Sequence, residues 1–399
     1  MRSRFLERVE VKEAVDETYG AKEVDAAAFG RLRRLNGCPD MRTAILKLIL
    51  ALGRYAVLPV VAVALVVFAA WLIALDHHRG LALATSPVVL PVTTGAVFLA
   101  FGLLLLPTRR KAAPGVEEAA APGLWAMWKD EDRKFAGVRR TLVIDGDVNA
   151  SIGEQRQFMG LFGRRLTMTI GLPLLIVLDE RAVRAVVAHE VGHAELQHTS
   201  GGANLYEFIL AAMNIFEYAD PETTITGRIS ATLLNALLEW LQKEHLIMSR
   251  QNELEADRQA AESVGRYEAA RALVLVASMS ARMNEVVFTP LQKELLGAIR
   301  APAPPLQRII SQLEMIRMPG SIEAAALACF ATEKEDSNAT HPPLRQRLAN
   351  VGFTEVPKVD APQTSAADAL LSDQVLKNLV SRLDSQWTRK AAESVDIFQ

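Results

Sequence analysis

The sequence predicts an α+β, mostly helical fold, in which a two-span helical hairpin precedes a domain with a small antiparallel-type sheet and an HExxH-bearing helix. Three observations predict it: two long uncharged stretches near the N-terminus, a pair of short alternating segments, and a series of helical patterns, one of which holds His189, Glu190 and His193. Half of the 399 residues are apolar and the formal charge is −2, Lys and Arg nearly balancing Asp and Glu, so no nucleic acid is expected as a partner. Cys38 and Cys329 lie far apart and in no CxxC pair. They indicate neither a disulfide framework nor a thiolate metal site, and they fit a reducing compartment.

Residues 1–54 read as an N-terminal segment, charged and only partly periodic up to Pro39. Residues 55–75 carry no charge, and at ~1.5 Å per residue they are long enough to cross ~30 Å of hydrocarbon. A second uncharged stretch, 81–106, is interrupted by Pro87 and Pro91 and reads as a less regular span. A transmembrane hairpin is therefore expected over 55–106. The length of charged chain ahead of it argues against a cleaved signal peptide. Arg42, Lys47 and Arg54 precede the hairpin and Arg109, Arg110 and Lys111 follow it, whereas Asp76, His77, His78 and Arg79 connect the spans. This bias places both termini and everything after the hairpin in the cytoplasm.

Residues 107–138 read as a linker and a leading helix, the Ala, Pro and Gly of 112–123 marking a domain boundary. Residues 139–144 and 165–170 alternate as half-buried strands do, and a helical pattern opens at Asp179. The apolar run 205–218 contains Glu207 and Glu217 and is too short for a span, so a packed or interfacial helix is expected. Between Gly227 and Gly265 nothing interrupts a helical recurrence of Leu234, Leu238, Leu241 and Met248, which predicts one long helix. Residues 301–305 and 332–340 read as loops. In the C-terminal extension, 353–399, Leu376, Val380, Leu383 and Trp387 form the stripe of a helix started by Thr364 or Ser365 and docked on the core.

Residues 188–193 read AHEVGH on the helix that Asp179 can cap. Residues four apart share a helical face, so His189 and His193 can offer two imidazole nitrogens to one zinc ion. Glu190, one step round the helix, is placed to take a proton from an attacking water and hand it to a leaving amine. A buried helical His pair bonded to the backbone would give the same five letters, so the decisive question is a third ligand. His198 does not fit the three-histidine spacing. On the long helix, SRQNELEAD puts Glu253 and Asp257 four apart on one face, with Glu253 able to ligate and Asp257 able to support a ligating His.

These motifs resemble those of the HtpX-like and CAAX-prenyl-protease-like zinc metallopeptidases, family forty-eight of the metallopeptidases. HEVGH and ELEAD are joined by THPPLRQRL at 340–348, similar to that family's HPPxxxR element, and by Asn149, Ala150 and Ser151, where the family has an edge strand. The resemblance covers about Arg139 to Gly352. It implies a zincin-type metalloprotease domain at 139–352 and one Zn2+ per chain held by His189, His193 and Glu253. It further implies that Glu190 is the general base, that His341 and Arg347 lie close to the substrate or its developing oxyanion, and that Asn149, Ala150 and Ser151 begin a strand binding polypeptide in extended form. Relatives in that family enclose the site in further spans or carry spans after HExxH; this sequence shows two, both N-terminal.

The function so implied is a membrane-anchored zinc metalloendopeptidase, an integral protein of the bacterial inner membrane whose partners are the bilayer and polypeptide substrates that are membrane-associated or misfolded. The alternatives are a non-proteolytic zinc-stabilised receptor or scaffold, against which the base Glu190 argues, and a dedicated processing protease with one partner.

Overall fold

The computed structural model describes residues 41–105, 114–132, 137–156, 164–195, 204–205, 208–209, 225–296, 298, 300–332 and 341–397. The charged segment before Met41, His198 and most of the loop at 332–340 lie outside them. A short helix α1 (Met41–Leu52) leads through a turn into a hairpin of α2 (Val57–His77) and α3 (Arg79–Leu105). Several polar groups of this hairpin find partners within it. Trp71 Nε1 donates to Ala82 O at 2.9 Å, and the Thr85, Ser86 and Thr93 hydroxyls donate to carbonyls of the preceding turn, which lets polar side chains sit in an apolar helix. Leu65, Val66, Leu72 and Ile73 of α2 face outward.

By length and composition, one helical stretch among the described residues, Arg266–Leu296, suffices to cross a membrane. It is not in the hairpin, and the sequence reading did not anticipate it. Its Val274, Leu275, Met279 and Met283 are fully buried, so it serves as a core helix. In the hairpin, the apolar run that stands out is the shorter Val61–His77.

After the hairpin come α4 (Pro122–Glu131), strands β1 (Arg139–Asp145), β2 (Ala150–Arg156) and β3 (Arg164–Gly171), a short helix α5 (Leu172–Val177), and α6 (Glu180–Glu195). The sheet corrects the expected antiparallel type. Its order is β1-β3-β2, with β1 parallel and β2 antiparallel to β3. Alternation of side chains tells which face a strand buries and nothing of its direction. Among the described residues β2 forms one edge, while Val116 bridges to Leu142 on the other. Helix α5 went unread because an entirely buried helix has no polar face to show a period.

Helix α7 (Ile225–Val264) is the long helix expected, and α8 (Arg266–Met283) follows it across Gly265, whose φ of 92° suits glycine. A π-helical turn leads to α9 (Thr289–Leu296), then α10 (Pro305–Ser311), α11 (Leu313–Ile316), α12 (Pro319–Ala331) and α13 (Leu344–Asn350). The expected C-terminal helix is two. Ser365 Oγ accepts from Asp368 N at 3.0 Å and caps α14 (Ala366–Leu370), whereas the stripe of Leu376, Val380 and Leu383 lies on α15 (Asp373–Ile397) and packs on the core.

The main core joins α4 through Trp128, the sheet through Leu142, Leu166, Met168 and Ile170, α6 through Val187, and α8 through Leu275 and Met279. A second cluster packs Ile49 and Ala56 against Leu205, Ile209, Leu238 and Leu241, so the first half of α7 rests on α1. The second half of α7 lies against α6, and this contact builds the site.

Candidate active site

Asp179 caps α6 as expected: its Oδ1 accepts from Ala182 N at 2.9 Å, and its carboxylate pairs with Arg271 of α8, which is 2% exposed. Burial alone would raise the Asp179 carboxyl, but the Arg271 fork and the Ala182 amide hold it below its ordinary value. Down this helix His189 and His193 follow one turn apart, their Nε2 atoms 3.2 Å from each other and their rings edge to face.

Glu253 of α7 meets them. Its Oε1 lies 3.1 Å from His193 Nε2 and its Oε2 lies 3.4 Å from His189 Nε2. The three donor atoms fall within 4.8 Å of one another. Four ligands at ~2.0 to 2.1 Å in a tetrahedron stand roughly 3.3 to 3.4 Å apart, and two imidazoles with one carboxylate are a zinc donor set. The two imidazole nitrogens stand about that far apart, and each lies at a similar distance from one oxygen of the Glu253 carboxylate. With the imidazoles neutral, as metal ligands must be, and Glu190 ionised, Glu190, Glu253 and Asp257 set against Arg347 leave an excess of two negative charges, which a divalent cation would balance. The residues fit a zinc ion.

Asp257, one turn beyond Glu253 and 2% exposed, has its Oδ1 3.0 Å from His189 Nδ1. Arg347 of α13 grips the same carboxylate with a fork, Nε to Oδ2 at 2.8 Å and Nη2 to Oδ1 at 2.7 Å, and its Nη2 is 3.4 Å from Glu253 Oε2. His341, whose side chain is 63% exposed, brings Nδ1 within 2.8 Å of Glu253 Oε2. Burial pulls the His189 imidazole down, but Asp257 and Glu253 outweigh it and hold it at about 9. Burial would raise Glu253 and Asp257; the histidines keep the first, and Arg347 the second, below the ordinary carboxylate value. Glu190 goes the other way, since its burial raises the carboxyl and the nearby His189 and His193 only moderate the shift. A base with a raised pKa transfers protons better near neutral pH.

The structure thus brings His189, His193, Glu253, Asp257, His341 and Arg347 into one cluster. Asn149, Ala150 and Ser151 lie apart from it in chain and element. Asn149 is exposed just before β2, its carbonyl accepting Gly171 N at 2.7 Å, while Ala150 and Ser151 pair with Ile170 and Thr169 along β3. Strand β2 packs beside α6, which places this edge next to the HExxH helix.

The sequence reading missed three contributors. Gly192, inside HEVGH, and Ala256, inside ELEAD, let the two helices approach closely, and the signal available was two small residues between ligands. Asn350 donates from Nδ2 to Leu254 O at 2.6 Å and pins α13 to α7 beside Glu253. A cavity of about 1030 Å³ lies at the far end of α6, lined among others by Asp179, Arg181, Arg271, Leu327 and Val356, and none of the clustered residues lines it.

No curated protein matches the chain. Among solved structures it is similar to the crystal structure of S. mikatae Ste24p, at 16% sequence identity and a TM-score of 0.31, over 73% of this chain. The match spans 63% of that protein's length, less than two thirds of it. The model of Peptidase family M48 matches residues 145–354, more than half of the chain and the whole span from β2 to α13. With that match over a His, His and Glu group that could hold a metal ion, the chain belongs to peptidase family M48.

Proposed function

We propose that this protein is a membrane-anchored zinc endopeptidase that cuts membrane-associated or misfolded polypeptides on the cytoplasmic side. The observation that carries the reading is the cluster of His189, His193 and Glu253, which could hold a metal ion, with the Glu190 carboxyl on the same helix next to His189. Zinc bound there would act as a Lewis acid toward the scissile carbonyl and the attacking water.

The chain's own residues do the rest. Glu190 takes the proton of the attacking water and returns it to the amine as the peptide bond breaks. Asp257 faces His189 Nδ1, which would keep the proton on that nitrogen and leave the Nε2 lone pair free to hold zinc. His341, exposed on its loop beside Glu253, is the donor for the oxyanion that develops at the carbonyl. Edge strand β2, opening with Asn149, Ala150 and Ser151, adds an extended substrate as a further strand, a mode that reads few side chains and favours broad specificity.

The outward apolar side chains of the α2 and α3 hairpin support the membrane anchor, and the basic residues at both of its ends support cytoplasmic termini. A protease so tethered meets membrane-bound and aggregated chains first, which suits quality control.

The test is metal content and cleavage of an unfolded model protein in detergent by the wild type, Glu190→Gln and Glu253→Ala. One zinc per chain in the wild type is expected, with activity lost in both variants and metal weakened only in Glu253→Ala. Cleavage by Glu190→Gln would remove the proposed base. Zinc without cleavage of any polypeptide would favour the scaffold, and cleavage of one partner alone the dedicated processing enzyme.

A further inference from the structure

We infer that Arg347 is a positioning residue that decides which of two carboxylates binds the metal, rather than a donor to the substrate; the inference rests on the zinc reading above. Glu253 and Asp257 stand four apart on one face of α7, both buried and both beside His189, at 3.4 Å from Nε2 and 3.0 Å from Nδ1 respectively. Chemically either carboxylate can ligate zinc. They face different nitrogens of the His189 ring, and what holds Asp257 on its side is Arg347. Its Nε and Nη2 occupy both oxygens of Asp257, at 2.8 and 2.7 Å, while it reaches Glu253 only at 3.4 Å.

A guanidinium fork matches a carboxylate with two parallel bonds, fixes its plane and keeps it ionised. Held so, Asp257 cannot turn toward the metal, and its Oδ1 stays where His189 Nδ1 meets it. Glu253 remains as the ligand. Nε and Nη2 are engaged at Asp257, Nη2 lies 3.5 Å from His189 Nε2, and the side chain is only 16% exposed. Arg347 is itself fixed from behind: Leu348 is fully buried against Ala270, Val274 and Ala326, and Asn350 bonds to the carbonyl of Leu254 in the turn that bears Glu253.

The test is made on the full chain in detergent with zinc as the probe, by competition against a chromophoric chelator and by the rate of zinc loss. Arg347→Lys keeps the charge and loses the fork; it is expected to weaken zinc roughly 10- to 100-fold, the range for lost support of a metal ligand. The double variant Arg347→Lys with Asp257→Asn is expected to bind zinc no more weakly than Asp257→Asn alone, because the arginine acts through the aspartate. With zinc in excess, affinity of Arg347→Lys for a phosphinic peptide, a tetrahedral mimic, should stay within a few-fold of the wild type.

Zinc affinity unchanged in Arg347→Lys, with kcat/KM and phosphinic-peptide affinity falling together a hundredfold, would overturn the inference and make Arg347 an oxyanion donor. Additive losses in the double variant would overturn it too, since they mark a merely structural role. Zinc affinity is read without substrate, so a wild type that binds zinc and cleaves nothing sinks the proposed function while Arg347 is still judged. A wild type without zinc overturns both.

Discussion

A Cβ built on Gly192 would lie 3.3 Å from Cα of Ala256 and 3.5 Å from its Cβ. Gly192 stands between the two histidines on α6, and Ala256 between Glu253 and Asp257 on α7, so the ligand cluster lies where the two helix backbones approach closely. Gly192→Ala must push them apart by a few tenths of an ångström, and Gly192→Val by more. Overpacking of this kind costs about 1 to 3 kcal/mol. Because the displacement falls on the ligands, we expect Gly192→Ala to weaken zinc by about tenfold while the helical circular dichroism is kept. Unchanged chelator competition would show that the helices give without moving Glu253.

The Asp179 and Arg271 pair holds the other end of α6 against α8. Asp179→Asn leaves Arg271 buried with only Glu268 Oε2 at 3.5 Å to compensate it, so a loss of about 3 kcal/mol is expected, the low end for breaking a buried pair. The Asp179 carboxyl is held below its ordinary value of 3.8 by Arg271 and the Ala182 amide. Its stabilisation is therefore complete above that value and disappears as the pH falls through the lower folded pKa. Urea melts of wild type and variant should differ by a constant amount from pH 5 to 8, and the gap should begin to close only below about pH 4, vanishing as the pH falls past the lowered folded pKa. A gap that persists in acid would mean that the amide, not the lost charge, causes it.

Val66 is 69% exposed at the middle of α2. If that face meets lipid, Val66→Arg opposes insertion by about 2.5 to 3.5 kcal/mol. The share of chain resisting alkaline extraction from membranes should then fall sharply. No fall would leave the hairpin facing water, where an added arginine on an exposed helix face is nearly neutral.

The C-terminal helix is held by Asp384, whose two oxygens accept from Leu306 N at 3.2 Å and Gln307 N at 3.1 Å at the start of α10. Asp384→Ala should cost about 0.5 to 2 kcal/mol, as the loss of a cap does. Limited proteolysis should then release α15 sooner while zinc affinity is retained. Equal protease resistance would show that Leu379 and its neighbours hold the helix alone.

The parts of the site that share one helix were open to reading in the sequence. The four-residue spacing of His189 and His193, and of Glu253 and Asp257, fixes each pair on one face whatever the rest of the chain does, because helical periodicity is local. The long α7, the cap by Asp179 and the order of motifs along 145–354 belong to the same class of knowledge. The direction of β1 against β3 did not, since side-chain alternation is blind to strand polarity. Nor did the apolar length of α8, which resembles a span by composition and is a core helix by burial. The sequence by itself determined which residues can ligate, accept a proton or cap. Only the tertiary structure decided that Glu253 meets the two histidines while Asp257 is held by Arg347, because that choice depends on how closely α6, α7 and α13 pack, and packing distance is set by contacts between residues remote in the chain.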